Sequence, residues 1–339
     1  EAPALGDPAL REEIAEHLRR MRGTARAAAD VLVTAGTREG LGLLLTALGT
    51  TEGRRLTVGV EDPGYPSLRR IATRHGAQIV ALPVDADGLD TSALPDGLLD
   101  AVIVTPSHQY PLGGSLPIAR RRELLDWARR TGALIIEDDY DSELRHLGSP
   151  LPTLAALDDP GDGSVVLLGT FSKTVSPALS AGFLLAPGRL RGVIEPVRAD
   201  LGGAVPAVVQ TALAAYLRSG ELRRHTARMR RRYAARRELV VERLLGLPRV
   251  RVRPMSGGLH AVLQFDAAAA DLAAREQRVL AAASSAGLGA VALSDYWQRH
   301  RRASELFGLV IGTGGGSDDA EFDVALGVLR GILRAELRG

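Results

Sequence analysis

Cysteine and asparagine are absent from this 339-residue sequence, and lysine occurs once among its 42 basic side chains. Without cysteine, disulfides, thiolate metal sites and thiol nucleophiles are all excluded. No metal centre is expected. No run of eighteen or more apolar residues occurs, so nothing reads as a membrane-spanning helix. The opening EAPALGDPALREEIAEHL lacks the charged-then-apolar layout of a secretion signal, which makes a cytoplasmic location the default expectation. The chain begins at Glu1 rather than methionine and is expected to be part of a longer product. Aromatic residues make up only 4%, too few to interleave a basic surface in the manner of a single-strand nucleic-acid groove.

The missing asparagine and the 41 arginines to one lysine point to a coding bias against AAN codons. That bias makes the exception, Lys173, informative. A guanidinium replaces an ammonium wherever only positive charge is needed, but it stays protonated and does not condense with an aldehyde. Only an amine forms an imine. The densest basic cluster, Arg223, Arg224, Arg228, Arg230, Arg231, Arg232, Arg236 and Arg237, falls on one helical stretch with Glu221 and Glu238 nearby. It reads as a solvated or interdomain helix face rather than a nucleic-acid groove, since Tyr233 is the only aromatic among them.

With 45% hydrophobic and 24% charged residues and a net charge of +2, the chain has the composition of an ordinary globular protein, long enough for two domains. Apolar, β-branched runs recur at 31–34, 56–60, 78–83, 100–104, 133–137, 164–168 and 182–186. Helical periodicity fills the gaps at 37–49, 66–76 and 117–131. Strand and helix in alternation predict an α/β fold with a mostly parallel seven-stranded sheet covered on both faces. Residues 1–203 form the expected large domain, 204–245 a long interdomain helix, and 246–339 a smaller α/β domain with apolar runs at 258–265 and 308–312. The Gly-rich GTGGGS at 312–317 reads as a loop.

In an open α/β sheet, ligands collect outside the carboxyl ends of the strands. The strand at 31–34 runs through Ala35, Gly36 and Thr37 into a helix, offering backbone amides and a hydroxyl at a positive helix end, which suits a phosphate. The strand at 100–104 ends in TPSHQYPLGG, carrying His108, Gln109 and Tyr110. The strand at 133–137 ends in EDDYDSE, with Asp138 and Tyr140, and the strand at 164–168 ends in GTFSK, with Thr170, Ser172 and Lys173. An amine for an aldehyde, a carboxylate for a ring nitrogen, a hydroxyl for a ring oxygen and donors for a phosphate are together what pyridoxal 5'-phosphate (PLP) requires. Singly, each residue has an ordinary structural explanation: Asp138 could cap a helix, Tyr65 or Tyr110 could pack, and Thr170 could satisfy a turn.

The stretches EDPGYP (61–66), TPSHQYPLG (105–113), IIEDDYDSE (135–143) and GTFSKTVSPAL (169–179) resemble the aminotransferase-like effector domain of MocR/GabR-type transcription regulators, of PLP fold type I. The similarity runs from GDPALREEIAEHLRRMRG through the arginine-rich helix to GGLH at 257–260. The resemblance implies that Lys173 holds PLP as a Schiff base and that Asp138 pairs with the pyridine nitrogen. It also implies that Tyr140 contacts the ring oxygen, that Tyr65 lies over the pyridine face, and that Gly36, Thr37, Thr170 and Ser172 seat the phosphate. It further implies a homodimer, and DNA contact only through an N-terminal helix-turn-helix module that this chain does not include; the opening of the effector domain itself looks short.

Three positions depart from the pattern. Tyr110 precedes Pro111 where enzymes of the fold carry asparagine beside the cofactor oxygen. Ser180 stands where an arginine usually clamps the phosphate, a charge-assisted contact worth roughly 1.5–3 kcal/mol, or about ten- to a hundredfold in affinity; Arg38, at the start of the phosphate-seat helix, is the candidate replacement. Val310 occupies the place of the arginine that receives a substrate carboxylate. These departures favour a ligand-sensing regulator domain, responding to an amino acid, an amine or PLP itself. The alternative is a free-standing PLP-dependent aminotransferase in which Lys173 also serves as general base; a third reading is a relic that no longer holds PLP.

Overall fold

The computed structural model describes residues 3–145, 151–254, 257–266, 271–298, 306–314 and 318–337. The large sheet contains β1 (Val31–Thr34), β2 (Thr57–Asp62), β3 (Gln78–Asp85), β4 (Gly88–Leu89), β5 (Ala101–Val104), β6 (Leu134–Asp139), β7 (Val165–Thr170) and β8 (Gly182–Leu185), in the order β1-β8-β7-β6-β5-β2-β3-β4. Each of the seven apolar runs is a strand. The eighth, β4, folds back on β3 through a turn at Gly88, whose φ of +103° favours glycine, and at two residues it is too short to leave a hydrophobic pattern. The sheet is mixed: β3, β2, β5, β6 and β7 run parallel, whereas β8 is antiparallel to both β7 and β1.

The helices that cover it are α1 (Pro8–Arg22), α2 (Thr37–Glu52), α3 (Pro66–Arg74), α4 (Ile118–Thr131), α5 (Leu154–Leu157), α6 (Gly188–Leu201) and α7 (Ala207–Arg218). Asp7 caps α1 by accepting from the Ala9 and Leu10 amides, and Gly23 closes that helix in the left-handed conformation. On one face of the sheet, Leu10, Ile14, Leu124, Trp127 and Leu213 pack against Val102, Ile135 and Leu167. On the other, Leu41, Leu44, Leu68 and Ile194 pack against Ile103, Ile136 and Leu168. Successive strand residues feed opposite cores, which explains why these strands are continuously apolar instead of alternating.

The stretch 204–245, expected as one long helix, is two. Gly220, with φ +73°, breaks it after Ser219 and starts α8 (Glu221–Leu244). Helix α7 packs on α1, while α8 leads to a four-stranded antiparallel sheet of β9 (Val250–Val252), β10 (His260–Phe265), β11 (Ala290–Ala292) and β12 (Gly308–Gly312), in the order β11-β12-β10-β9. Helices α9 (Leu272–Ser285) and α10 (Asp319–Glu336) complete this smaller unit around Leu263, Phe265, Val279, Leu309 and Leu326. The arginine-rich helix serves mainly as structure. Arg236 is buried, pairs with Asp319 at 2.8 Å and lies 4.7 Å over the Phe322 ring, while Arg223, Arg228, Arg230 and Arg231 lie toward solvent. Of the expected 312–317 loop, residues 315–317 lie outside the described residues.

The two units meet along one edge. Leu112, Val262, Leu293, Tyr296, Trp297 and Val310 form a shared apolar cluster. The Gly64 amide donates to the Tyr296 carbonyl at 3.1 Å, and the Gln298 amide to Asp62 Oδ1 at 2.7 Å.

Candidate functional site

The carboxyl ends of β1, β5, β6 and β7 open into a cleft of about 890 Å³ whose far wall is the small unit. Gly36, Thr37, Arg38, Tyr65, Tyr110, Asp138, Tyr140, Thr170, Ser172 and Lys173 all line it. Residues expected from separate segments of the chain thus share one cavity.

Glycine brings the two ends of this group together. Strand β8 lies between β1 and β7, with Gly182 opposite both Thr34 and Thr170. A Cβ at Gly182 would sit 2.4 Å from the Gly169 carbonyl oxygen and 2.9 Å from Gly36 Cα. Removing that side chain lets the turn before α2 approach the loop after β7, which carries Lys173. Gly36 itself has φ +92° and is the residue before α2, so the first amides of that helix face the cleft at its positive end. Glu39 steadies the turn, accepting from the Ala35 amide at 3.0 Å and from buried Arg198 at 2.5 Å. Thr170 Oγ1 accepts from the Ser172 amide at 3.1 Å. The Arg38 side chain reaches solvent and lies 3.5 Å from the Tyr65 hydroxyl; Ser180, also on the cleft wall, is left-handed at φ +43°.

The three acidic residues ending β6 divide by strand alternation. Glu137 and Asp139 point away from the cleft: Glu137 accepts from the Leu154 and Ala155 amides at 3.0 Å each, and Asp139 pairs with Arg22 at 3.2 Å. Asp138 points into the cleft. It is 3% exposed, and its Oδ1 has no hydrogen-bond partner among the described residues. Burial, reinforced by the nearby charges of Asp139, Asp141 and Glu61 and opposed by Lys173, pushes its carboxyl up to about 8. A buried acceptor left single is costly and calls for a donor from outside the chain. The N–H of a pyridinium ring is such a donor, and the residues present therefore fit PLP.

Tyr140 and Tyr110 are held by their surroundings. The Tyr140 hydroxyl lies 3.0 Å from His108 Nδ1 and 3.2 Å from the His108 carbonyl, and His108 Nδ1 lies 2.8 Å from Asp141 Oδ2. Tyr110 touches Tyr65 and Tyr140 edge-on, and its hydroxyl lies 3.1 Å from that of Tyr296. Burial raises both phenols above their ordinary range.

Sequence reasoning missed the far wall. Tyr233, Leu259, His260, Val291 and Tyr296 line the cleft from well beyond Lys173 in the chain, together with Val310. His260 Nε2 lies 2.9 Å from the Pro111 carbonyl, and burial lowers the imidazole to about 4, so it is neutral. The only hint was GGLH: a Cβ at Gly258 would sit 2.2 Å from the His108 ring, so glycine there lets the small unit close onto the large one.

The family described as aminotransferase class I and II matches residues 2–288. The HTH-type pyridoxine biosynthesis transcriptional regulator PdxR of Corynebacterium glutamicum is 47% identical over 296 residues, 87% of this chain and 62% of that protein. The probable rhizopine catabolism regulatory protein MocR of Rhizobium meliloti is 38% identical over 238 residues, 70% of this chain and 47% of that protein. The chain therefore spans about half to two thirds of the length of these curated relatives. Among solved structures, an archaeal alanine:glyoxylate aminotransferase superposes with a TM-score of 0.86 at 22% identity, covering 98% of this chain and 82% of that one. LysN, the alpha-aminoadipate aminotransferase of Thermus thermophilus, solved with N-(5'-phosphopyridoxyl)-L-leucine, gives 0.82 at 23% identity, covering 99% and 83%. These likenesses give the fold, PLP fold type I. The chain belongs to the aminotransferase class I and II family, and the regulators PdxR and MocR are among its curated relatives.

Proposed function

We propose that this chain is the PLP-binding, ligand-sensing domain of a MocR/GabR-type transcription regulator, with the cofactor held as a Schiff base on Lys173. The observation that carries this reading is Asp138 Oδ1, a buried and unpartnered carboxylate oxygen in the same cleft as the chain's one ε-amine. When bound, PLP supplies an electron-withdrawing ring and an aldehyde reactive toward amines. Asp138 receives the ring N–H, and Tyr65 covers the ring face. Tyr140 and Tyr110 stand toward the ring oxygen, Tyr110 in place of the usual asparagine. Gly36, Thr37, Thr170 and Ser172 hold the phosphate, and Arg38 supplies the charge that Ser180 lacks. The name of PdxR, the regulator of pyridoxine biosynthesis, supports PLP itself as the signal. Apolar Val310 on the cleft wall supports a ligand without a carboxylate held at that point.

Sensing requires that an occupied cleft differ in shape from an empty one. Tyr110 and His108 touch both the cofactor side and the small unit, through Tyr296 and His260. Their positions bias how residues 246–339 close on residues 1–203, and this reaches DNA through a helix-turn-helix module carried elsewhere in a homodimeric parent protein. A free-standing cytoplasmic aminotransferase is the second reading, because it needs the same Lys173 and Asp138; steady turnover of an amino donor with a keto acid would select it.

The direct test is the visible absorption spectrum of the purified chain with PLP, before and after borohydride, for wild type and Lys173→Ala. The wild type should show an imine band that borohydride converts into a stable adduct on the peptide containing residue 173. The variant should show neither. An adduct of equal yield in the variant would overturn the assignment.

A further inference from the structure

A second cavity, of about 20 Å³, lies behind the pyridine end of the cleft and is lined by Glu61, Thr105, Asp138, Tyr65 and Arg69. Its volume is that of about one water molecule, and Val60, Leu68 and Ile103 complete its walls, so the carboxyls that border it meet little solvent. Glu61, at the end of β2, is as buried as Asp138, at 5% exposure. It receives the Thr105 amide at 3.2 Å, the Thr105 hydroxyl at a short distance, and Gln109 Nε2 at 3.4 Å, all of them neutral donors. Two enclosed carboxyl groups bordering one small cavity do not both carry charge readily, which favours one shared proton for the pair.

We propose that Glu61 is the positioning residue that takes this shared proton, leaving Asp138 as the one ionised carboxylate facing the cofactor nitrogen. The inference rests on the PLP reading and deepens it. Its geometry comes from adjacent parallel strands: β2 pairs with β5 and β5 with β6, so the residues after β2 and β5 and at the end of β6 converge at one sheet edge. In the chain alone Asp138, pushed up to about 8, holds a proton more firmly than Glu61; a cationic ring N–H set against Asp138 would lower that carboxyl and leave the proton to Glu61. Burial raises the Glu61 carboxyl to about 7, against the pull of Thr105 and Gln109. Arg69, across the cavity, donates to the Tyr296 carbonyl at 3.4 Å, Asp62 accepts from the Gln298 amide, and Tyr65 faces the cleft. Asp139 and Asp141 add negative charge around Asp138, whereas Lys173 opposes them. With Glu61 protonated, Asp138 would remain the single anion for a ring N–H to pair with. Once Glu61 ionises, its charge would draw that proton toward Asp138, which lines both the small cavity and the cleft.

The experiment is the ¹⁵N chemical shift of ¹⁵N-pyridine-labelled PLP bound to the whole chain, followed from about pH 6 to 9 for wild type, Glu61→Gln and Thr105→Val. The wild type should lose the pyridinium signal progressively as Glu61 ionises. Glu61→Gln, neutral at every pH, should keep it throughout. Thr105→Val removes the hydroxyl that favours the Glu61 anion and should move the transition upward by about one pH unit, a readout available even if the glutamine variant does not fold. Superimposable profiles in wild type and Thr105→Val, or in wild type and Glu61→Gln, would overturn the proposal while leaving PLP binding intact. Failure of the wild type to take up labelled PLP at all would remove the cofactor reading, and this inference with it.

Discussion

At the Asp138 end of the cleft the carboxyls are clustered and buried; at the Gly36 end the cleft-facing charge, Arg38, is exposed. Asp138 is 3% exposed and has no hydrogen-bond partner for one oxygen among the described residues, so a single contact from the ligand acts in a weakly screened setting. Around Gly36 the proposed seat would instead rely on helix amides, hydroxyl-bearing residues and Arg38, whose side chain reaches solvent. On the proposed reading, the Asp138 end would concentrate its energy in one bond, tuned through a neighbour's proton. The other divides it among many weak donors, none indispensable. That difference is consistent with a chain that lacks the usual arginine at Ser180 and yet keeps the remainder of the seat.

The largest expected effect comes from the buried end. Asp138→Asn keeps the shape and removes the charge, and should weaken PLP binding by about ten- to a hundredfold, from roughly 1.5–3 kcal/mol for a hydrogen bond to a charged group. Equilibrium dialysis would measure it. A loss under about threefold would show that the two ends do not differ as described.

A second expectation uses pH. Asp138 and Glu61 are pushed up to about 8 and about 7, so the folded chain without cofactor binds more protons than the unfolded chain between their ordinary values, near 4, and those values. Stability from these groups is therefore present at low pH and declines as pH rises. His260, lowered to about 4, acts in the opposite sense between 4 and about 6.5. Glu137, also pushed up to about 7, acts in the same sense as Asp138 and Glu61, and over about pH 6.5 to 8 the cofactor-free chain should lose on the order of 2–3 kcal/mol. Asp138→Asn should roughly halve that slope, Glu61 and Glu137 supplying the rest; differential scanning fluorimetry of both chains across the interval would show an unchanged slope if the carboxyl were solvated.

The smallest effect belongs to the exposed end. Arg38→Ala should cost about two- to fivefold in PLP affinity, as expected for an exposed ion pair, and the difference should shrink as salt is raised from about 50 to about 500 mM. A loss as large as that of Asp138→Asn, insensitive to salt, would place the principal phosphate charge at Arg38 and erase the contrast.

Much of this arrangement was legible in the sequence, because parallel strands deliver their following residues to one edge whatever the details of packing. EDDYDSE and GTFSK had to fall side by side once β6 and β7 paired, and Gly36 followed because β1 precedes a helix. What escaped was set by contacts distant along the chain. His260 and Tyr296 reach the cleft only because the small unit folds back over Tyr110, and nothing local distinguishes them from core residues. Glu61 stood in plain view in EDPGYP, but its interest arises from burial beside Asp138, which is a three-dimensional fact. The break between α7 and α8 did have a local signal, the Ser219–Gly220 pair, outweighed by the helical periodicity on either side.

Lys173 has one more consequence. Its side chain is exposed toward the cleft and is the only ε-amine in the sequence. An acylating reagent therefore has one side-chain amine to attach to besides the α-amino terminus, and that amine lines the cleft. Label on the peptide containing residue 173 then counts empty clefts, and this composition gives the chain an internal occupancy gauge that a lysine-rich relative would drown in surface background.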